Sequence, residues 1–419
     1  MCKHSPSRRK FLRYATLGTC GSIVHQSFSP NFIARALAAP QHRAAYSSNP
    51  ILVVVNLAGG ASYQLAPIYA SAWRDKNPTI SYGPDDSHAV TASQGLHPSF
   101  DYLAQLFTDG DLAIVNQVGF PSHSRSHEDA ARMWMTGSAS PTNKPGVLNQ
   151  MSCQLTGLFS SISLAGSDPL IEGSCPGARE LESLATLNGT EFKSTDENEW
   201  VEMIRSNVLA GDTSALNATK AKIRSSIDTM ESAADTIRGI ASSSVPTPVA
   251  FPNSSFGRDC LDVARLIQAS SVIGAHAFYL EKGGFDTHSN ERGSMPNNLN
   301  DVDNSLQALI ESIKVMGRFN DLTVVIWSEF TRTFENGSEG TDHGNQGPVF
   351  IMGGRVNGGR LVSPTPSNSE ILSAGSFLRT MQVDSRNFWD QVIGANGMGF
   401  NTASILTESF DRTNLSLFV

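Results

Sequence analysis

Short apolar runs rich in β-branched residues recur along the chain, separated by segments in which apolar positions have helical spacing. The run over 51–57, Ile-Leu-Val-Val-Val-Asn-Leu, is followed by Gly59-Gly60, a pattern typical of a buried parallel strand that ends in a sharp turn. Comparable runs predict further strands at 112–118, 160–164, 273–280, 322–327 and 349–352.

The segments between these runs predict helices. Apolar residues at helical spacing indicate helices over 99–107, over 124–135 with a stop at Gly137, and over 297–316. Strands that alternate with helices are the pattern of an α/β protein with a mostly parallel sheet. The chain is therefore predicted to fold as an α/β layer.

The segment over 194–240 differs from the rest because it is polar and favours helix throughout. Its apolar positions predict two amphipathic helices, broken near Gly211-Asp212, that form an inserted cap or lid. The alternative is a surface insertion that has no functional role.

The first 38 residues have the pattern of an export signal. Residues 7–13, Ser-Arg-Arg-Lys-Phe-Leu-Arg, match the twin-arginine motif, an apolar stretch follows over 14–24, and Ala36-Leu37-Ala38 offers a cleavage site. We expect recognition by the twin-arginine translocase and a periplasmic or secreted protein that begins at Ala39. A basic, disordered tail is the alternative.

Composition excludes two classes of protein. The formal net charge is −8 and no basic stripe offsets it, which argues against a nucleic-acid partner. Beyond residue 45 no apolar run approaches the roughly 20 residues that span a bilayer, so no transmembrane segment is expected in the mature chain.

Three cysteines follow the predicted signal: Cys153, Cys175 and Cys260. In an exported protein this number allows one disulfide and leaves one thiol over. A bridge between Cys153 and Cys175 is plausible, and three buried thiols are the alternative. No Cys-x-x-Cys occurs, so neither a thiolate zinc site nor a redox dithiol is indicated.

Two segments pair a carboxylate with an imidazole just after a predicted strand. Residues 283–288 contain Asp286 and His288, and residues 341–344 contain Asp342 and His343. Carboxylates and neutral imidazoles form a ligand mixture that zinc and manganese accept, and open α/β sheets build their sites at the carboxyl ends of strands. The alternative for each pair is a glycine-bounded turn with the Asp as a capping residue.

Other candidate residues flank the predicted strands. Ser62 follows the Gly-Gly turn and could be a nucleophile or a ligand, or simply the N-cap of a helix. Arg125 and His127 could face an oxyanion, or belong to an ordinary polar helix start. Glu329 and Arg332 could form a structural ion pair, or they could orient a metal ligand without binding the ion themselves.

In their order along the chain these motifs resemble a bacterial family catalogued as domain of unknown function 1501, which is grouped with the alkaline phosphatase and sulfatase superfamily. The resemblance covers most of the mature chain and rests on these segments: 51–62, 96–98, 111–115, 125–127, 134–137, 283–288, 328–330 and 340–344. It implies an alkaline phosphatase-like α/β domain over 39–419, with helices on both faces of the central sheet and the helical insertion around 194–240.

The resemblance also implies an activity, the metal-dependent hydrolysis of phosphate or sulfate esters in a small molecule or a glycan. Ser62 would attack, while Arg125 or His127 would stabilise the ester oxygens. Four residues would hold zinc or manganese: Asp286, His288, Asp342 and His343. Many relatives have an Asp in the turn after the first strand, where this chain has Ser62. The alternative is therefore a non-catalytic binding or surface-assembly protein on the same scaffold.

Overall fold

The computed structural model describes residues 49–157, 159–166, 168–175, 177–181 and 236–419. The predicted signal peptide over 1–38 lies outside the described residues, as does nearly all of the predicted insertion over 194–240. A helical segment over 236–241 is the part of that insertion that is described.

Nine of the described strands form one central sheet, and β2 and β3 form a separate antiparallel pair. The strands are β1 (Ile51–Leu57), β2 (His88–Ala89), β3 (Gly95–Leu96), β4 (Leu112–Gly119), β5 (Ser161–Ser163), β6 (Ala178–Glu180), β7 (Ala277–Lys282), β8 (Leu322–Trp327), β9 (Gly347–Met352), β10 (Arg360–Leu361) and β11 (Val383–Asp384). Their order across the central sheet is β10-β4-β9-β8-β1-β7-β5-β6, with β11 also paired to β4.

The central sheet is mostly parallel, as predicted. Of its described strands only β9 runs antiparallel, against β4 and β8. Strand β1 lies between β7 and β8 and pairs in parallel with both. All seven of its residues are buried, which explains why its sequence is almost uniformly apolar rather than alternating.

Helices cover both faces of this sheet. They are α1 (Ser71–Lys76), α2 (Asp101–Asp109), α3 (His127–Thr136), α4 (Val147–Ser152), α5 (Ser255–Gln268), α6 (Ser270–Ile273), α7 (Glu291–Val315), α8 (Asn368–Ser373) and α9 (Ser385–Ile393), with short 3-10 turns at Phe319–Asp321 and Thr402–Ser404. Val53 and Val55 of β1 pack in one apolar cluster with α2, α5 and α7. Leu52 and Val54 pack in a second cluster with α3, α4 and α9. Because side chains alternate along β1, this strand contributes to the apolar cores on both faces of the sheet.

The run over 273–280 is divided differently from the prediction. Helix α6 ends at Gly274, which has a φ of 68°, and β7 begins only at Ala277. A left-handed glycine at this position ends the helix, and the apolar residues on either side of it give no sign of the change.

No described helix is long and apolar enough to cross a membrane.

The parallel direction of the strands determines where the polar segments lie. Segments that follow β1, β4, β7 and β8 leave the sheet at one edge, and the antiparallel β9 begins at that same edge. The candidate residues after these strands are therefore brought to a common edge.

A disulfide joins Cys153, which follows α4, to Cys175, which precedes β6, while Cys260 is a buried thiol in α5. The bridge closes a segment of sequence separation 22. In the chain-entropy account a loop of this length stabilises the fold by about 3 kcal/mol.

The double variant Cys153→Ser, Cys175→Ser tests this contribution. We expect its free energy of unfolding in urea to be lower by roughly that amount, and wild-type protein under reducing conditions to show the same loss. An unchanged urea midpoint in both cases would contradict this expectation.

Candidate metal centre

The glycine turn after β1 brings its backbone against the segment after β7. Gly59 and Gly60 have φ values of 122° and 82°. A Cβ atom on Gly59 would lie 2.3 Å from the Asp286 nitrogen, and one on Gly60 would lie 2.1 Å from the Phe330 ring. The two glycines therefore permit both the turn and the close approach of three sheet-edge segments.

The Asp286 carboxylate is the centre of the polar cluster at this edge. One oxygen, Oδ1, is contacted by four nitrogen atoms: Arg332 Nη1 at 2.7 Å, His288 Nε2 at 2.9 Å, His343 Nε2 at 3.3 Å and His127 Nε2 at 3.7 Å. The possible ligand atoms of His127, Asp286 and His343 all lie within 4.8 Å of one another. This group can hold a metal ion.

Each of the three imidazoles has an oxygen partner at its other ring nitrogen. The Nδ1 contacts are Glu329 Oε1 for His127 at 2.7 Å, Asp342 Oδ1 for His288 at 3.0 Å, and the Arg125 carbonyl oxygen for His343 at 2.9 Å. An acceptor at Nδ1 favours the tautomer that leaves Nε2 as a lone-pair donor. All three Nε2 atoms contact Asp286 Oδ1, so the donor set fits a divalent cation bound by nitrogen and oxygen.

Neighbouring charges shift the protonation of two of these groups. The hydrogen bond to Glu329 raises the pKa of His127, against the opposing effect of burial. Burial favours the neutral form of Asp286, but its hydrogen bond with Arg332, together with the charges of Arg332 and His288, holds the pKa of Asp286 below its usual value. The carboxylate therefore stays ionised under conditions in which the His127 imidazole can still bind a proton.

Arg332 connects the segments around the cluster from the protein interior. Its side chain is fully buried, and its guanidinium donates to the Gly59 carbonyl at 2.8 Å and to Asp286 Oδ1 at 2.7 Å. It also donates to the Thr341 carbonyl at 2.6 Å and to the Thr341 hydroxyl at 3.2 Å. Asp286 accounts for only part of its hydrogen bonding, so Arg332 is both an ion-pair partner and a structural support for the site.

Ser62 lies apart from this cluster, in a buried group centred on Glu291. Ser62 is 6% exposed, and its hydroxyl donates to Glu291 Oε1 at 2.5 Å. Glu291, at the start of α7, is fully buried and also accepts from the hydroxyls of Thr287 and Thr341. Burial raises the pKa of Glu291, and the three hydroxyl donors oppose that rise. No helix follows Ser62 directly, so it is not a helix N-cap either.

The structure thus brings together eight of the nine residues singled out in the sequence and leaves Ser62 outside the group. The eight are Arg125, His127, Asp286, His288, Glu329, Arg332, Asp342 and His343. Two positions differ from the expectation. His127 turns its Nε2 toward Asp286, whereas Asp342 contacts the outer nitrogen of His288. Glu291 is a residue that the sequence reasoning missed, and its place after Asn290 at a helix start gave no local signal of its contacts.

Fold and cluster define an α/β protein with a mostly parallel sheet and a candidate metal centre at the carboxyl edge of that sheet. The chain belongs to the family described as "Protein of unknown function (DUF1501)", whose model matches residues 120–382. The resemblance noted in the sequence is confirmed at the level of the family.

Solved structures similar to this chain include sulfatases and phosphatases. The PsFucS1 sulfatase from Pseudoalteromonas sp. is 12% identical, with 84% of this chain and 70% of that one covered at a TM-score of 0.33. The lipoteichoic acid synthase LtaP from Listeria monocytogenes is 8% identical, with 84% and 80% covered at 0.35. An alkaline phosphatase from the Antarctic bacterium TAB5 is 12% identical, with 77% and 96% covered at 0.34. Among curated proteins none matches the chain in sequence.

The contacts of Ser62 give a prediction about its role. In Ser62→Ala the buried Glu291 carboxylate loses one of its three hydroxyl donors, so we expect the free energy of unfolding to fall by about 1–3 kcal/mol. The metal content should not change, because Ser62 contacts none of the cluster residues. Urea unfolding and elemental analysis of the same preparation test both statements. Loss of metal together with unchanged stability would show that Ser62 belongs to the centre instead.

Proposed function

We propose that this protein is a metal-dependent hydrolase of phosphate or sulfate esters. The observation that carries the proposal is the convergence of three imidazole Nε2 atoms on the Asp286 carboxylate, each with its Nδ1 held by an oxygen. Metal-ligating histidines almost always donate their other ring N–H to a carboxylate, a backbone carbonyl or water, and all three imidazoles have such a partner.

The ligands we propose are Asp286, His127, His288 and His343, with zinc or manganese as the ion. Compared with the set expected from the sequence, His127 is added and Asp342 becomes the carboxylate that orients His288. Glu329 orients His127 in the same way. It is 3% exposed, and its carboxylate accepts from the Gly59 amide and the Ser328 hydroxyl, which fix its position. The bound ion would polarise the ester and make water more acidic.

Two further functions are needed at this site, a cation that binds an oxyanion of the substrate and a nucleophile. Arg125 donates through Nε to the His343 carbonyl at 2.6 Å, which fixes an exposed guanidinium beside the cluster where it can bind an oxyanion group of the substrate. The nucleophile we propose is water rather than Ser62, because the Ser62 hydroxyl is buried and donates to Glu291. Partial exposure of the His127, His288 and Asp286 side chains, 38%, 48% and 47%, leaves the centre accessible to a small-molecule or glycan ester.

We further propose that the protein is exported in its folded state by the twin-arginine translocase and acts in the periplasm or outside the cell. The motif over 7–13 supports this proposal. The Cys153–Cys175 disulfide independently supports the location outside the cytoplasm, because disulfides persist in oxidising compartments.

The metal centre can be tested by replacing one ligand. We expect His343→Ala to lower both metal content and ester turnover, because a lost ligand should cost more than the 10- to 100-fold typical of outer partners. The control is His88→Ala, since His88 pairs with Asp101 away from the cluster. Metal is measured by elemental mass spectrometry on protein purified without chelator or affinity metal, and turnover with p-nitrophenyl phosphate and p-nitrophenyl sulfate.

The two readouts separate the possible outcomes. Full metal occupancy in His343→Ala would contradict the proposed metal centre. Metal that depends on His343, without turnover of any ester, would instead indicate the binding or surface-assembly protein considered from the sequence.

Export can be tested without altering the charge of the leader. We expect the double variant Arg8→Lys, Arg9→Lys to remain in the cytoplasm of a bacterial host, because twin-arginine recognition requires the paired arginines. Lys3→Arg, another exchange of like charges outside the motif, should be exported normally. Cell fractionation and immunoblotting provide the measurement, and periplasmic accumulation of the double variant would contradict twin-arginine export.

A further inference from the structure

Two exposed arginines stack on one phenylalanine beside the candidate metal centre. The guanidinium carbons of Arg125 and Arg379 each lie 4.8 Å from the centroid of the Phe377 ring. Phe377 is only 7% exposed, so the ring is a fixed support for both guanidinium groups. Stacking occupies the face of a guanidinium and leaves its N–H edges available for hydrogen bonds.

Both arginines are tied to the segment between His343 and β9. The Arg125 Nε–H donates to the His343 carbonyl at 2.6 Å, and the Arg379 carbonyl accepts from Gln346 Nε2 at 2.6 Å. Gln346 is 3% exposed and lies three residues after His343. The Arg125 guanidinium is therefore held next to a proposed metal ligand, and the backbone of Arg379 is held to the same segment.

The charge of this pair distinguishes it from three other arginines that stack on aromatic rings. Arg292, Arg386 and Arg412 also stack on aromatic rings, and each of them pairs with a carboxylate, from Asp86, Asp384 and Asp390 respectively. Among the described residues no carboxylate forms a salt bridge with Arg125 or Arg379. In a chain of net charge −8, Arg125 and Arg379 thus place two positive charges on one ring that no described carboxylate neutralises by a salt bridge.

We propose that Arg125, Phe377 and Arg379 form an anion-binding subsite for a second sulfate or phosphate group of the substrate. The substrate class is then an ester that carries at least two oxyanion groups, such as a polysulfated or polyphosphorylated glycan. One group lies at the metal centre and the next binds between the guanidinium edges, which suit the geometry of an oxyanion. Naming this as a substrate site rests on the proposed hydrolase function, whereas the anion binding itself does not.

The test is a direct binding measurement on the full chain, with dextran sulfate as the probe and unsulfated dextran as its control. By isothermal titration calorimetry we expect wild type to bind dextran sulfate only, and Arg379→Ala to weaken that binding about tenfold or more, as expected for loss of a charge-assisted contact. Arg412→Ala is the matched control, because it removes a stacked arginine and the same charge elsewhere. It should change the affinity by less than about twofold, which is the range expected of a surface charge pair.

Each outcome bears on one of the two proposals. Equal weakening by Arg379→Ala and Arg412→Ala, or no binding of dextran sulfate by wild type, would overturn the subsite, whatever turnover of p-nitrophenyl esters is observed. Selective weakening by Arg379→Ala supports the subsite even if no ester is hydrolysed, and in that case it is the hydrolase function that fails. Competition by inorganic sulfate or by inorganic phosphate then shows which oxyanion the subsite prefers.

Discussion

The buried guanidinium of Arg332 is the contact on which the geometry of the sheet edge depends. A cation taken fully out of water is tolerated only when hydrogen-bond acceptors surround it. Its acceptors come from Gly59 after β1, from Asp286 after β7 and from Thr341 before β9, while Arg332 itself follows β8. One side chain thus fixes four segments relative to one another, and the imidazoles contact a carboxylate whose position it sets.

A buried carboxylate completes this arrangement from the interior. The Thr341 hydroxyl accepts from Arg332 and donates to Glu291, so the two buried charges are linked through one side chain. Glu291 in turn receives the Ser62 hydroxyl from the turn after β1. Internal hydrogen bonds therefore hold the loops that carry the cluster. Such a preformed donor set lowers the ordering cost of binding a cation.

Much of this structure follows from local sequence, because β-branched runs identified the strands and their parallel direction placed Asp286, His288 and His343 at one edge. The exchange of roles between His127 and Asp342 could not be predicted. Which ring nitrogen faces a carboxylate is decided by tertiary distances, and both residue types suit either position. The hydrogen-bond partner of Ser62 could not be predicted for a related reason. This partner, Glu291, is 229 residues away, and no local pattern identifies it.

The pKa shifts also determine how pH acts on the candidate centre. Without a cation, the His127–Glu329 pair stabilises the fold at low pH, and its contribution is lost as the pH rises through the raised pKa of His127. Cation binding has the opposite dependence, because the ion needs a neutral imidazole and must displace that proton. Asp286, whose pKa is lowered, remains ionised at pH values where His127 is already protonated. As the pH falls, a proton would therefore compete with a cation at His127 before it reached Asp286, and the hydrogen bond to Glu329 that orients this imidazole is also the cause of its raised pKa.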